Sequence, residues 1–276
     1  MTKKSIKKIL TRTILIILSL SMMFSVAGCN KKDEDIENND TDDSSAQAGL
    51  VGDAEDFEAP DENVKKRVAL TFDDGPHNVR TQAIVDELEK YGFHATFFVV
   101  GNRVDGKAYG GGKTIPYILE HGNEIGIHGY THEVYYSKCD DETYEYELSE
   151  TLNAIHKYAE NYNVTLMRPI GGNITLERIE ECDYSIIMWD VDSEDWKYKY
   201  TSGDTDEEAA AKVDIIVENV MSQVKEGSII LMHDIYQSTV DAVVKILERL
   251  DAEGYEVVTV TELLGDVKPG VKYSKK

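Results

Sequence analysis

The sequence predicts an α/β barrel of about seven strands in a single folded domain. Three observations predict it. Short apolar runs alternate with stretches of helical periodicity, the pattern of parallel βαβ units. Five runs end directly in a charged or imidazole side chain: Asp73-Asp74, His128, Arg168, Asp190 and His233-Asp234. The strand ends of an α/β barrel converge on one face, whereas a doubly wound sheet gathers fewer strands at one switch point. Finally, at 276 residues the chain is long enough to bury a sizeable core.

The elements follow in order. Arg67-Val68-Ala69-Leu70 reads as a buried strand that runs into Thr71-Phe72-Asp73-Asp74 before Gly75-Pro76 turns the chain away. Residues 79–91 carry Ile84, Val85, Leu88 and Tyr91 at helical spacing, and Gly92 is a stop. Residues 95–100 form a second strand, 105–113 a glycine-rich loop, 115–121 a short helix and 124–127 a third strand. Leu148, Leu152 and Ile155 mark a helix within 140–161. Apolar runs at 164–167, 185–189, 229–232 and 256–258 read as strands, with helices over 207–224 and 239–253.

The domain is expected over residues 65–276. Before it, Lys3, Lys4, Lys7, Lys8 and Arg12 precede an apolar run from Ile14 to Ala27, too short for a comfortable membrane span. Val26-Ala27-Gly28-Cys29 resembles the lipobox of bacterial lipoproteins. That resemblance implies a signal peptide over 1–28, lipidation of Cys29 and an extracytoplasmic, membrane-anchored protein. Residues 29–64 are acidic and poor in apolar side chains, and read as a disordered, extended tether. Removing 1–28 takes away five positive charges and no negative ones, so the formal net charge of -23 becomes -28. Such a chain is a poor partner for nucleic acid. Cys139 and Cys182 belong to no CxxC pair and are expected as free thiols.

His128-Gly129-Tyr130-Thr131-His132 places two imidazoles four apart, on one face if the segment is helical. With one carboxylate of Asp73-Asp74 they make a two-His, one-Asp set that leaves a metal open to water. The adjacent carboxylates themselves ask for a cation or an arginine between them. His77, His94, His121 and His156 read as peripheral or structural.

Taken together, the stretches 71–76, 128–132, 168–172, 190–196 and 231–234 resemble, in order, the five motifs of the polysaccharide deacetylases of NodB-homology type, carbohydrate esterase family four. The resemblance covers roughly residues 65–265. It implies a single catalytic domain with a distorted (β/α) barrel. It implies Asp74, His128 and His132 as ligands of a divalent metal, Zn2+ first and Co2+ second. Asp73 is implied as general base, oriented by Arg168, and His233 as general acid, paired with Asp195. Gly171 is implied as a backbone oxyanion donor, and Trp196 and Leu231 as the lining of an acetyl pocket. The expected substrate is an N-acetylated glycan, peptidoglycan before chitin oligomers or acetylxylan, handled by a monomer. The alternative is a noncatalytic carbohydrate-binding lipoprotein on the same fold. Two positions depart from the family pattern. Gly129 stands where a Ser or Thr is usual, which loosens the expected ligand loop, and Ile170-Gly171 stand where proline and an aromatic residue are common.

Overall fold

The computed structural model of the protein describes residues 65–276. The expectations for the signal segment, Cys29 and the tether fall outside the described residues. Among those described, no helix is long and apolar enough to cross a membrane.

Nine strands form one curled sheet. They are β1 (Lys66–Asp73), β2 (Thr96–Val99), β3 (Glu124–Ile127), β4 (Leu166–Met167), β5 (Ser185–Ile187), β6 (Val191–Asp192), β7 (Ile229–His233), β8 (Tyr255–Val257) and β9 (Lys272–Tyr273). The order is β6-β7-β1-β2-β3-β4-β5-β9, with β8 paired to the start of β1. Every strand pairing is parallel. Beyond β9 the tail reaches the start of β7 through an antiparallel bridge between Ser228 and Lys275. The expected barrel is thus a curled parallel sheet with more strands than the predicted seven. The added ones, β6 and β9, are two residues each, too short to leave a periodic signal.

Alternation along β1 explains the two cores. Val68, Leu70 and Phe72 pack outward with the helices, whereas Ala69 points inward with Phe98, Leu166, Ile187 and Ile229. Val260 and Leu263, from the short helix Val260–Leu264, join the inner set and plug one end of the barrel. Thr71 and Asp73 continue the inward side of β1, at the other end.

The helices are α1 (Arg80–Glu89), α2 (Gly101–Asp105), α3 (Gly111–Glu120), α4 (Asp141–His156), α5 (Leu176–Glu181), α6 (Asp206–Met221), α7 (Gln237–Ala252) and α8 (Val260–Leu264). Helix α3 starts inside the expected glycine loop. A Cβ on Gly111 would lie 2.0 Å from the Val104 carbonyl oxygen, so close packing overrides the poor helix propensity of glycine. Cys139 and Cys182 are free, as expected.

Candidate active site

The site begins where β1 ends. Strand alternation would send Asp73 and Asp74 to opposite faces. Asp74 instead takes a left-handed backbone, φ 72°, and so leaves the strand pattern. Gly75 must follow, because a Cβ there would fall 2.4 Å from the Asp234 carboxylate that backs the turn. Burial holds the Asp234 carboxyl up at about 7, with Thr81 donating to it and the nearby Asp74 charge adding to the rise.

Asp74 faces two imidazoles. His132 Nε2 lies 2.8 Å and His128 Nε2 3.5 Å from Asp74 Oδ1. The three ligand atoms available on Asp74, His128 and His132 lie within 4.8 Å of one another. His128 Nδ1 sits 2.8 Å from the Arg168 carbonyl oxygen. A carbonyl only accepts, so Nδ1 carries a proton and Nε2 is the nitrogen that faces the site. Two imidazole nitrogens and one carboxylate oxygen converging in this way fit a divalent first-row cation. Burial works against the Asp74 charge, but hydrogen bonds from His128 and His132, with the charges of His128 and His233, hold its carboxyl far below the usual range. Burial also works against a charged His128, yet Asp73 and Asp74 raise its pKa.

The His128–His132 segment is not a helical turn, contrary to the spacing argument. It is a loop with Gly129 at φ 83° and His132 at φ 63°. Three described non-glycine residues have positive φ, and two of them are Asp74 and His132. Each such backbone costs about 1–2 kcal/mol, so the surrounding structure must enforce it.

Glu147 of α4 does much of that enforcing, and sequence reasoning missed it. Its carboxylate is 1% exposed and accepts from Tyr130 N at 2.6 Å, Thr131 N at 2.9 Å and Thr131 Oγ1 at 2.5 Å. On the opposite edge Gly101 N donates to Gly129 O and Asn102 N to Tyr130 O. Gly129 itself leaves little room for a side chain. A Cβ there would lie 2.9 Å from Tyr136 Oη and 3.0 Å from Glu147 Oε2. The only signal in the sequence was a glutamate on the apolar side of an amphipathic helix.

Asp73 has a different partner. Arg168 Nη1 donates to Asp73 Oδ1 and Thr71 Oγ1, each at 2.8 Å, while Nε and Nη2 reach the carbonyls of Ile187 and Met188. The guanidinium is fully buried and lies 4.3 Å from the Phe98 ring centroid. Asp73 Oδ2 remains, 3.6 Å from His128 Nε2.

His233, at the end of β7 in register with Asp73, completes the cluster. Its Nδ1 lies 2.7 Å from Asp195 Oδ1. Asp195 Oδ2 accepts from His233 N and from Thr239 Oγ1, so the buried carboxylate is fully used. Burial pulls the His233 pKa down, but the Asp195 hydrogen bond and charge prevail and lift it to about 9.

The remaining expected residues share no side-chain hydrogen bond with this cluster among the described residues. Leu231 is buried in β7, and Trp196 is 46% exposed with Lys197 over its ring. Gly171 is exposed in a 3-10 turn at φ 57° and approaches the Tyr135 ring. Asp190, which also ends an apolar run, is spent on Ser228 Oγ and Ile229 N. His121 and His156 bond nearby carbonyls and play no part in the site.

Comparison with known proteins agrees with this arrangement. The family model for polysaccharide deacetylase matches residues 61–184. Peptidoglycan-N-acetylmuramic acid deacetylase PdaC of Bacillus subtilis is 38% identical over 199 residues, 72% of this chain. The chain spans 39% of the length of PdaC. A peptidoglycan-N-acetylglucosamine deacetylase of Bacillus cereus is 34% identical over 210 residues, covering 73% of this chain and 90% of that protein. Among solved structures, a family 4 acetyl xylan esterase from Clostridium thermocellum in complex with a cobalt ion superposes with a TM-score of 0.66 at 29% identity, covering 76% of this chain and 98% of that one.

Proposed function

Because this chain belongs to the polysaccharide deacetylase family, we propose that it is a metal-dependent hydrolase that removes N-acetyl groups from an amino-sugar polymer, peptidoglycan first. One observation carries the reading: the adjacent aspartates have separate partners, Asp74 with two imidazoles and Asp73 with a buried arginine.

Asp74, His128 and His132 would hold the cation, Zn2+ first. When bound, it supplies Lewis acidity that acidifies water and polarises a carbonyl. Asp73 is the general base. Arg168 occupies its Oδ1, which leaves Oδ2 to take the proton of the attacking water. His233 is the general acid. With Nδ1 tied to Asp195, its Nε2 presents the proton, and a pKa of about 9 keeps that proton in place at neutral pH. Water adds to the amide carbonyl, the C–N bond breaks, and acetate departs. The amine, a poor leaving group, takes the His233 proton as it goes. Backbone at Gly171 is the proposed second stabiliser of the developing oxyanion. Trp196 and Leu231 are the proposed acetyl-pocket lining.

The lipobox-like Cys29 supports a protein lipid-anchored outside the membrane and facing the wall glycan. The named substrates of the two relatives support peptidoglycan over chitin oligomers or acetylxylan. The test is acetate release from N-acetylglucosamine oligomers and from peptidoglycan, before and after chelation and after Zn2+ or Co2+ is returned. Metal-restored acetate release is expected. No acetate from any acetylated glycan with either metal added would contradict the proposal.

A further inference from the structure

Tyr135 follows closely on His132 in the chain and is 46% exposed. A single exposed tyrosine is ordinary on a protein surface. This one is held in place, and it stands against the proposed oxyanion donor. Its backbone is fixed from both directions: Lys138 N donates to Tyr135 O at 2.9 Å, and Tyr136 beside it is fully buried with its Oη against Gly129. Its ring meets the turn that follows Arg168. A Cβ on Gly171 would lie 3.4 Å from Tyr135 Cε1, so the ring edge borders the space that a side chain at 171 would enter.

The ligand loop and this turn also touch at a second point, since a Cβ on Gly129 would lie 3.3 Å from Ile170 Cδ1. The turn itself is closed. Gly172 N donates to Pro169 O, Asn173 N to Ile170 O and Asn173 Nδ2 to Gly171 O, which leaves Gly171 N outside these bonds. A ring fixed between two locked segments has little freedom left to lose when a ligand covers it. Lys138 Nζ stands 5.5 Å from the Tyr135 ring centroid, and the hydroxyl has no hydrogen-bond partner among the described residues. An open aromatic face with a free hydroxyl suits a pyranose, which carries C–H groups on its faces and hydroxyls around its rim.

We infer that Tyr135 is a stacking platform for a sugar ring of the glycan, beside the acetamide whose carbonyl oxygen meets Gly171. The positively polarised C–H groups of the sugar lie on the electron-rich face of the tyrosine ring, and the hydroxyl bonds a rim oxygen. The inference rests on the deacetylase reading and adds to it the residue that sets how the sugar lies over the reacting carbon.

The test uses the full protein loaded with Zn2+ and an N-acetylglucosamine pentamer. Kd is measured by calorimetry in an Asp73→Asn background, where turnover is slow, and kcat and KM by acetate release in the wild-type background. Tyr135→Ala is compared with Tyr135→Phe and with Tyr158→Ala, a tyrosine of similar exposure that packs beside Gly112. A stacked ring is worth about 3–10-fold in affinity. Tyr135→Ala is expected to raise Kd and KM by that factor, with kcat falling less than KM rises. Tyr135→Phe keeps the ring and should retain more than half of the effect in log units, while Tyr158→Ala stays within about twofold of its parent. Zn2+ affinity should stay within about twofold in every variant, because the metal ligands are untouched. A Tyr135→Ala Kd within about twofold of its parent overturns the inference. So does a Tyr135→Phe as weak as Tyr135→Ala. An equal loss of Zn2+ affinity in Tyr135→Ala also overturns it, since the ligand loop would then have moved. If the wild type releases no acetate while the Kd series behaves as expected, the deacetylase reading fails and the platform stands.

Discussion

Glu147 holds the loop that carries both imidazoles, and its removal has consequences that can be sized. In Glu147→Ala, two backbone N–H groups and one hydroxyl lose their acceptor. A buried donor left unpaired costs about 1–3 kcal/mol. Tyr130 and Thr131 are only half buried, so water reaches part of the gap and the lower end applies. The expected loss is about 2–3 kcal/mol in urea unfolding. Glu147→Gln keeps the shape and one acceptor oxygen, and should lose about 1 kcal/mol. A second effect separates positioning from mere stability. His132 holds a positive φ at the end of this loop, and groups that orient metal ligands are worth about 10–100-fold in metal affinity. Calorimetric titration of the metal-free protein with Zn2+ should therefore show that loss in Glu147→Ala and less than half of it, in log units, in Glu147→Gln. A Zn2+ affinity within about threefold of wild type in Glu147→Ala, alongside the expected loss of stability, would refute the positioning argument.

Three further outcomes follow from the same geometry. Gly129→Ser, which restores the hydroxyl common in the family, should destabilise by roughly 2 kcal/mol rather than repair the loop, because the backbone at φ 83° resists a Cβ and Tyr136 and Glu147 already fill the space; thermal unfolding checks this. Asp195→Asn removes the main support of the His233 pKa, so the alkaline limb of the kcat/KM profile, expected near pH 9, should move down by more than one pH unit. The sign for stability agrees: a raised histidine pKa stabilises below its unfolded value of 6.5, and that contribution fades as pH rises through about 9. Arg168→Met strands Asp73 inside the barrel and should cost about 3–5 kcal/mol in urea unfolding, and Arg168→Lys cannot make the four bonds of the guanidinium.

The parts of this protein that were legible in the sequence are those where one strong rule acts alone. Parallel strands buried on both faces read as unbroken apolar runs, and β1, β2, β3 and β7 appear where such runs do. Their C-terminal ends carry Asp73, His128 and His233, so the converging cluster was visible before any coordinates. Tertiary packing hid the rest. Helix α3 begins at glycines because the Val104 carbonyl lies against Gly111. The HxxxH spacing suits a helix, yet two positive-φ residues make it a loop. Asp190 resembles the site residues in sequence but is used to brace β7. Glu147, one of many acidic residues in a strongly acidic chain, gains its role only when α4 is packed behind the loop.

The division of labour between the adjacent aspartates is tested most directly by measuring two quantities on Asp73→Asn: Zn2+ affinity and acetate release from an N-acetylglucosamine oligomer. Asp73 touches the ligand set only through Oδ2, 3.6 Å from His128 Nε2, and its other oxygen belongs to Arg168. The variant should therefore bind Zn2+ within about tenfold of wild type and lose about 10²–10⁴-fold in kcat, the usual worth of a general base. Asp74→Asn should do the reverse and lose the metal first. Acetate release by Asp73→Asn within a few-fold of wild type, with Zn2+ bound, would contradict the assignment.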